Sequence, residues 1–198
     1  MRNTLTLAAI LLLAGNLSGC AIQHRIADNY VSFLQTHPSS NPLPKTNAVV
    51  AYDLTESTRN HHYEFRSVLV GYAHVWIVEI AKMLDDTLAS KDVQQAFGKL
   101  TRSADLKNAD IAVKFDLKRY EFTDYSAQMT MNITATRAGR EIVNRDYIGV
   151  GTPQGAKFAL GPILTGPLLV REAFQLSTQS ALDTILAAFV ADLQKVPG

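Results

Sequence analysis

The residues with the most obvious capacity for chemistry in this chain of 198 residues are the adjacent histidines His61 and His62, with Glu64 close behind them. Imidazole nitrogens and carboxylate oxygens are common ligands of divalent metals. Adjacent residues of a strand point to opposite faces, however, so two neighbouring histidines rarely hold one ion together. The helical spacing His-Glu-x-x-His is also absent. We therefore expect a solvated loop here and no metal site, and we expect His74 to be a partly buried histidine.

A second candidate is the glycine-rich segment 149–155, which reads Gly-Val-Gly-Thr-Pro-Gln-Gly. It loosely resembles a phosphate-binding loop. The dinucleotide pattern needs glycine where Gln154 stands, and the Gly-Lys-Ser/Thr ending of a Walker loop is missing. Pro153 also prevents a helix from starting directly after the glycines. The segment therefore favours turn chemistry over phosphate binding.

The remaining candidates for catalysis are carboxylates and hydroxyls. The nucleophile pattern Gly-x-Ser-x-Gly does not occur in the sequence. Asp85-Asp86 and the segment 105–110 offer carboxylates, but no pattern places two of them across a cleft. The sequence predicts no catalytic residue, no metal ligand and no cofactor, and thus a protein that is not an enzyme.

One residue has a more definite chemistry, and it is the only cysteine, Cys20. It follows an apolar run, residues 5–14, that is preceded by the positive charge of Arg2. The run is far shorter than the roughly 20 residues that a membrane-spanning helix needs, so it predicts a cleaved signal peptide. A lone cysteine in an oxidising compartment has no disulfide partner.

Leu17-Ser18-Gly19-Cys20 resembles the lipobox of bacterial lipoproteins, in which the signal is cut before the cysteine and the thiol is lipidated. The resemblance implies cleavage between Gly19 and Cys20 and attachment to a lipid bilayer through acylated Cys20. Ala21, which stands where an aspartate would signal retention in the inner membrane, favours the periplasmic face of the outer membrane.

The charge balance limits the classes of partner. The chain has 19 basic and 18 acidic residues. Removal of Arg2 with the signal leaves 18 of each, so the mature chain is neutral. A neutral chain with dispersed charge is a poor binder of nucleic acid. We expect instead an envelope protein as partner.

The hydropathy pattern divides the chain into a signal peptide (1–19), a lipidated N-terminus with a proline-rich tether (20–46) and a single domain (47–198). Within that domain, alternation of apolar and polar residues predicts strands, and apolar steps of three and four predict helices. The predicted strands cover residues 47–55, 110–122, 126–137 and 141–150, and the predicted helices cover residues 70–89 and 169–195.

Three local features complete the prediction. The apolar parity changes between Leu117 and Tyr120, which indicates a β-bulge near Arg119. Gly139 indicates a tight hairpin. Residues 155–168 are rich in glycine, proline and apolar side chains, and we expect them to be a loop that either packs on the core or meets a partner.

This order of elements predicts an α+β fold, a two-layer sandwich with an antiparallel or mixed sheet of four to five strands and two helices on one face. Together with the lipobox, the layout resembles the small envelope-assembly lipoproteins such as the lipopolysaccharide-assembly lipoprotein. That resemblance implies a non-enzymatic accessory or binding component of an envelope assembly or transport system. A carrier of a small apolar or lipid ligand is the alternative, and an envelope hydrolase is a third.

Overall fold

The computed structural model describes residues 21–39, 41–66, 71, 73–106, 109–164 and 167–196. Gly19 and Cys20 lie outside these residues. The strands are β1 (Ile22–Arg25), β2 (Val49–Leu54), β3 (Tyr63–Phe65), β4 (His74–Val78), β5 (Lys99–Arg102), β6 (Ile111–Thr123), β7 (Ser126–Arg137) and β8 (Arg140–Val150). The helices are α1 (Tyr30–Thr36), α2 (Glu56–Arg59), α3 (Ile80–Ala89), α4 (Lys91–Gln94), α5 (Gly155–Leu164) and α6 (Pro167–Gln194).

The architecture is α+β, as predicted, with two mixed sheets. The larger sheet has the strand order β5-β2-β6-β7-β8, in which β2 runs parallel to both neighbours and β6, β7 and β8 form an antiparallel meander. The smaller sheet has the order β1-β4-β3. The prediction had one sheet and two helices, which correspond to α3 and α6. The smaller sheet and the other four helices among the described residues were not part of it.

The meander follows from strict alternation along β6 and β7. Met129, Met131 and Ile133 of β7 are buried, while the threonines and asparagine between them face outward. In β6 the buried parity changes, and the register with β7 shifts between Leu117 and Arg119. The bulge predicted near Arg119 is confirmed, and it turns both halves of a 13-residue strand towards the same core.

The long helix α6 covers the inner face of the larger sheet. Phe189 of α6 meets the ring of Phe115 from β6 edge-on, with ring centroids 6.1 Å apart. Two glycines at the end of β8, Gly149 and Gly151, allow α6 to pack this closely on the sheet. A Cβ built on Gly149 would lie 2.3 Å from the carbonyl oxygen of Ala181, and one on Gly151 would lie 2.0 Å from that of Ser177.

The helix predicted over residues 70–89 is wrong in its first half. His74–Val78 is strand β4, and only Ile80–Ala89 is helical. Val75, Trp76, Ile77 and Val78 are all buried, so β4 is covered on both faces. A strand of this kind has a continuous apolar run, which periodicity alone does not distinguish from a buried helix.

The tether predicted over residues 20–46 is wrong for its first half. Residues 22–25 form β1 and residues 30–36 form α1. Ile26, Ala27 and Tyr30 are completely buried and belong to the core. Burial of these side chains stabilises the segment 22–36 against the body, so these residues belong to the folded domain and not to a tether.

The loop predicted over residues 155–168 is also wrong. Residues 155–164 are helix α5, and Pro167 is the first residue of α6. Proline is favourable at the first position of a helix, where its missing N–H would have no intrahelical partner. The helix continues through Gly161 and Pro162, so these residues do not make the segment one long irregular loop.

The close approach of β8 to α6 makes a testable prediction. In Gly151→Ala the new methyl group would collide with the backbone of α6, and we expect a loss of about 3 kcal/mol in the free energy of unfolding. Gly155→Ala is the control, because its Cβ would lie 3.4 Å from the Tyr125 ring, an ordinary contact. Urea unfolding of both variants checks this, and equal stability of the two would contradict the packing described here.

Candidate functional site

The first described residues lie at the edge of the smaller sheet. The Ile22 N–H donates to the carbonyl oxygen of Ala73 at 2.9 Å, and the Ile26 N–H donates to that of Ile77 at 2.8 Å. β1 therefore pairs in parallel with β4 along its whole length. The chain enters the fold within two residues of Cys20, whose own position lies outside the described residues.

A stack of aromatic rings holds β1 on the body. The His24 ring lies on Trp76 with centroids 4.3 Å apart, and Trp76 in turn stacks near Phe174 of α6 at 6.2 Å. His24 Nε2 and His74 Nδ1 are 2.6 Å apart, so one of the two nitrogens carries the shared proton. Burial, His74 and the nearby Arg171 guanidinium together lower the pKa of His24, which favours its neutral form.

Two glutamines of α6 tie the N-terminal segment down by hydrogen bonds. Gln175 Nε2 donates to the carbonyl oxygen of Ile26 at 2.9 Å, and Gln179 Nε2 donates to that of His37 at 2.8 Å. Both glutamines are buried, so each satisfies a backbone acceptor that would otherwise be costly to bury. These bonds fix both ends of the segment 26–37 to one turn of α6, from Gln175 to Gln179.

Two connected clefts lie beside this segment. A small cavity of about 140 Å³ lies among residues 34–45, the junction of α3 with α4, and α6; Asp92 and Asp183 line it. A wider groove of about 440 Å³ lies next to it, between residues 31–38 and α3. Burial, opposed by a hydrogen bond from the Ser39 side chain, raises the pKa of Asp183 to about 6.

The histidine pair of the sequence analysis is not arranged for metal binding. His62 Nε2 lies 3.0 Å from a carboxylate oxygen of Glu64, while His61 packs edge-on against Tyr120. Among the residues that the structure describes, no group of three His, Cys, Asp or Glu side chains could hold a metal ion. The prediction for His74 is confirmed, since it is half-buried.

The glycine-rich segment and the acidic pair have structural roles. Gly149 and Gly151 permit the contact between β8 and α6, so their spacing reflects strand–helix packing rather than phosphate binding. Asp85 makes an ion pair with Arg102, and Asp86 makes one with Lys82 at 2.9 Å. These carboxylates are occupied by neighbouring cations.

The outer face of the larger sheet is polar along β6 and β7, whereas β8 exposes Ile148 and Val150 on the same face. Its centre carries Asn132, whose Nδ2 donates to Asp146 at 2.9 Å, and Thr134 beside it. On the neighbouring strand β6, Asp116 pairs with Asn132 and accepts hydrogen bonds from Thr55 at 2.9 Å and Ser57 at 2.7 Å. The predicted polar face of residues 126–137 is therefore present and hydrogen-bonded to its own neighbours.

Sequence reasoning missed both the histidine stack and the clefts. His24 and His74 are fifty positions apart, and β1 has no alternating pattern that would have predicted its pairing. Asp183 was not among the residues for which the sequence predicted a role.

The raised pKa of Asp183 predicts a stabilising substitution. Because the folded-state pKa exceeds the ordinary value of 3.8, the folded protein loses stability as the pH rises from 3.8 through about 6, and the full penalty applies above that. Asp183→Asn removes the cost of burying the charged carboxylate. We expect the free energy of unfolding to rise by about 2 kcal/mol at pH 7.5 and by less as the pH falls to 4.5. Urea unfolding at both pH values checks this. The exposed Asp110, changed to Asn, is the control, and a gain independent of pH would contradict the assignment.

Comparison with solved structures finds a protein with a similar fold. No protein-family model matches this chain, and no curated protein matches it. Its fold is similar to that of the solved structure of protein XCC0632 from Xanthomonas campestris, of the family DUF330. The TM-score is 0.51 and the sequence identity 14%, over 78% of this chain and 91% of that one. At this identity the likeness shows the α+β fold alone.

Proposed function

We propose that this chain is a lipoprotein anchored through acylated Cys20 at the periplasmic face of the outer membrane. There it serves as a non-enzymatic accessory or binding component of an envelope assembly or transport system. The observation that carries the proposal is the position of β1. A folded strand begins at Ile22, immediately after the residue that the lipobox marks for lipidation.

This position limits the distance between lipid and fold. Two residues of extended chain span at most about 7 Å, whereas the tether of residues 20–46 could have reached some ten times as far. The lipid would therefore hold the edge of the smaller sheet at the bilayer surface. Confinement of this kind raises the effective concentration of the domain for a partner in the same membrane.

The proposed arrangement of layers leaves a surface for that partner. The larger sheet and α6 form two layers, with α6 on the inner face and the outer face open. Thr130, Asn132 and Thr134 lie on that outer face, beside the edge strand β8. These polar side chains supply hydrogen-bond donors and acceptors to a partner, and the exposed Ile148 of β8, which pairs with Thr130, adds an apolar contact.

No helix among the described residues is long and apolar enough to cross a membrane.

The groove beside residues 31–38 supports a second candidate function, the carriage of a small ligand. Val31, Leu34 and Ala89 supply its apolar lining, and Asp86, Lys91 and Asp92 supply charges. Its volume of about 440 Å³ lies within the range of small-molecule sites. Native mass spectrometry of protein purified from membranes would show a bound small molecule if the carrier function holds.

The anchoring proposal is tested at the mature N-terminus. Intact-mass spectrometry of protein from fractionated outer membranes should find acylated Cys20 as the first residue. In Cys20→Ala we expect a folded domain that is neither lipidated nor recovered with the outer membrane. Ser18→Ala is the matched control, because it alters the same motif but keeps the cysteine. An unmodified mature N-terminus at another residue would overturn the proposal.

A further inference from the structure

The outer surface of α5 is unusual for a helix at the surface of a protein. Its only charged residue is Lys157, whose ammonium lies 2.6 Å from a carboxylate oxygen of Glu172 on α6. Ala156, Ala159 and Leu160 are exposed instead. From Phe158 to Val170 the sequence contains no charged residue. A helix that faces water normally carries polar and charged residues on its outer side.

The junction of α5 with α6 extends this apolar surface. The side chain of Leu168, at the start of α6, is 67% exposed, and that of Leu160 is 48% exposed. The inner side of α5 is fixed at the same time, because Phe158 is buried against Phe122 at 5.4 Å and Phe174 at 5.5 Å. The exposed leucines therefore belong to a helix pair that is already packed on the core.

This surface lies at the end of the molecule where the chain enters. Gln175 of α6 is level with Ile26, to which it is hydrogen-bonded. His24 stacks on Trp76 at 4.3 Å, and the Trp76 ring lies 6.2 Å from that of Phe174 in α6. The charge of Arg171, one turn before Gln175, also acts on His24. Four residues of helix and two residues of strand both advance about 6 Å, so β1 and the start of α6 run side by side in the same direction. One more step of the same kind brings Ile22 level with Pro167, the residue before Leu168.

Ile22, Leu160 and Leu168 thus form an apolar tip around the place where Cys20 joins the fold. Ile22 is itself 49% exposed. The occupant of such a tip must be apolar and must lie directly beside the lipidated residue. The bilayer that receives the acyl chains meets both conditions, and apolar helix faces next to basic side chains are typical of segments that lie in a membrane interface.

We propose that the apolar tip inserts into the headgroup region of the same membrane leaflet that holds acylated Cys20. This inference rests on the proposed lipid anchor and adds a second, non-covalent contact with lipid. Contact through three side chains is weak alone, but confinement by the anchor makes it intramolecular. Two contacts fix the orientation of the domain, whereas a single anchor allows it to rotate.

Labelled single-cysteine proteins test the tip. Mature Cys20 is blocked by its lipid, so Leu168→Cys carries the only free thiol of the acylated full chain. A nitrobenzoxadiazole label at this position is placed in vesicles of phosphatidylethanolamine and phosphatidylglycerol that contain a doxyl-labelled lipid. We expect the label to be quenched several-fold more strongly than the same label at position 148.

Ile148→Cys is the matched control. Ile148 is 69% exposed, nearly the same as Leu168, so both labels are tolerated by the fold. Its neighbour Gly149 abuts Ala181, thirteen residues along α6 from Leu168, which places it about 20 Å from the tip. Equal melting temperatures of the two labelled proteins confirm that neither substitution disturbs the fold.

The outcomes separate the tip from the anchor. If Cys20 is acylated and the label at Leu168 is quenched no more than that at Ile148, the tip is overturned and the anchor stands; coverage of Leu168 by a protein partner would give this result. If Cys20 is not acylated, the anchor is overturned. The tip is then overturned as well, because contact through three side chains is too weak to hold the domain at the membrane without the anchor.

Discussion

The fold depends on how closely α6 approaches the end of β8. At Gly149 and Gly151 the strand lies so near the helix backbone that a methyl group has no room. A hydrogen bond stabilises the same contact, because the N–H of Ala127 in β7 donates to Ser177 Oγ of α6 at 2.8 Å. Dispersion forces decrease steeply with separation, so this approach brings the large side chains on both surfaces into contact along the rest of the helix.

The helix that makes this contact is also what joins the two sheets. One side of α6 packs against the larger sheet, and another carries Gln175 and Gln179, which bind the backbone of the N-terminal segment. A helix buried on more than one side has no single apolar stripe, and its polar residues must find partners in the interior. The sheet of β1, β4 and β3 is therefore connected to the larger sheet through α6. A pull on β1 would be transmitted directly to the core.

Sequence patterns predicted the parts of this fold that have one buried face. β6 and β7 alternate clearly, the bulge near Arg119 appeared as a change of parity, and Gly139 indicated the hairpin that leads into β8. β4 was mistaken for a helix because both of its faces are covered. β1 was missed because its pairing with β4 bridges fifty residues and leaves its outer edge exposed. Local patterns carry no information about such distant contacts, so the histidine stack and the clefts were beyond prediction too. Lipidation of Cys20 remains a prediction from the lipobox.

The direction of the strands has a consequence for where a partner would be met. Tyr125, in the turn between β6 and β7, contacts Phe158 of α5, so this end of the larger sheet lies at the level of the apolar tip. β7 then extends over 12 residues to the Gly139 hairpin, a distance of about 37 Å. With the tip in the membrane, the hairpin is among the parts of the domain furthest from the lipid. In that proposed orientation the outer face of the sheet extends away from the bilayer, so a partner could bind it without displacing lipid.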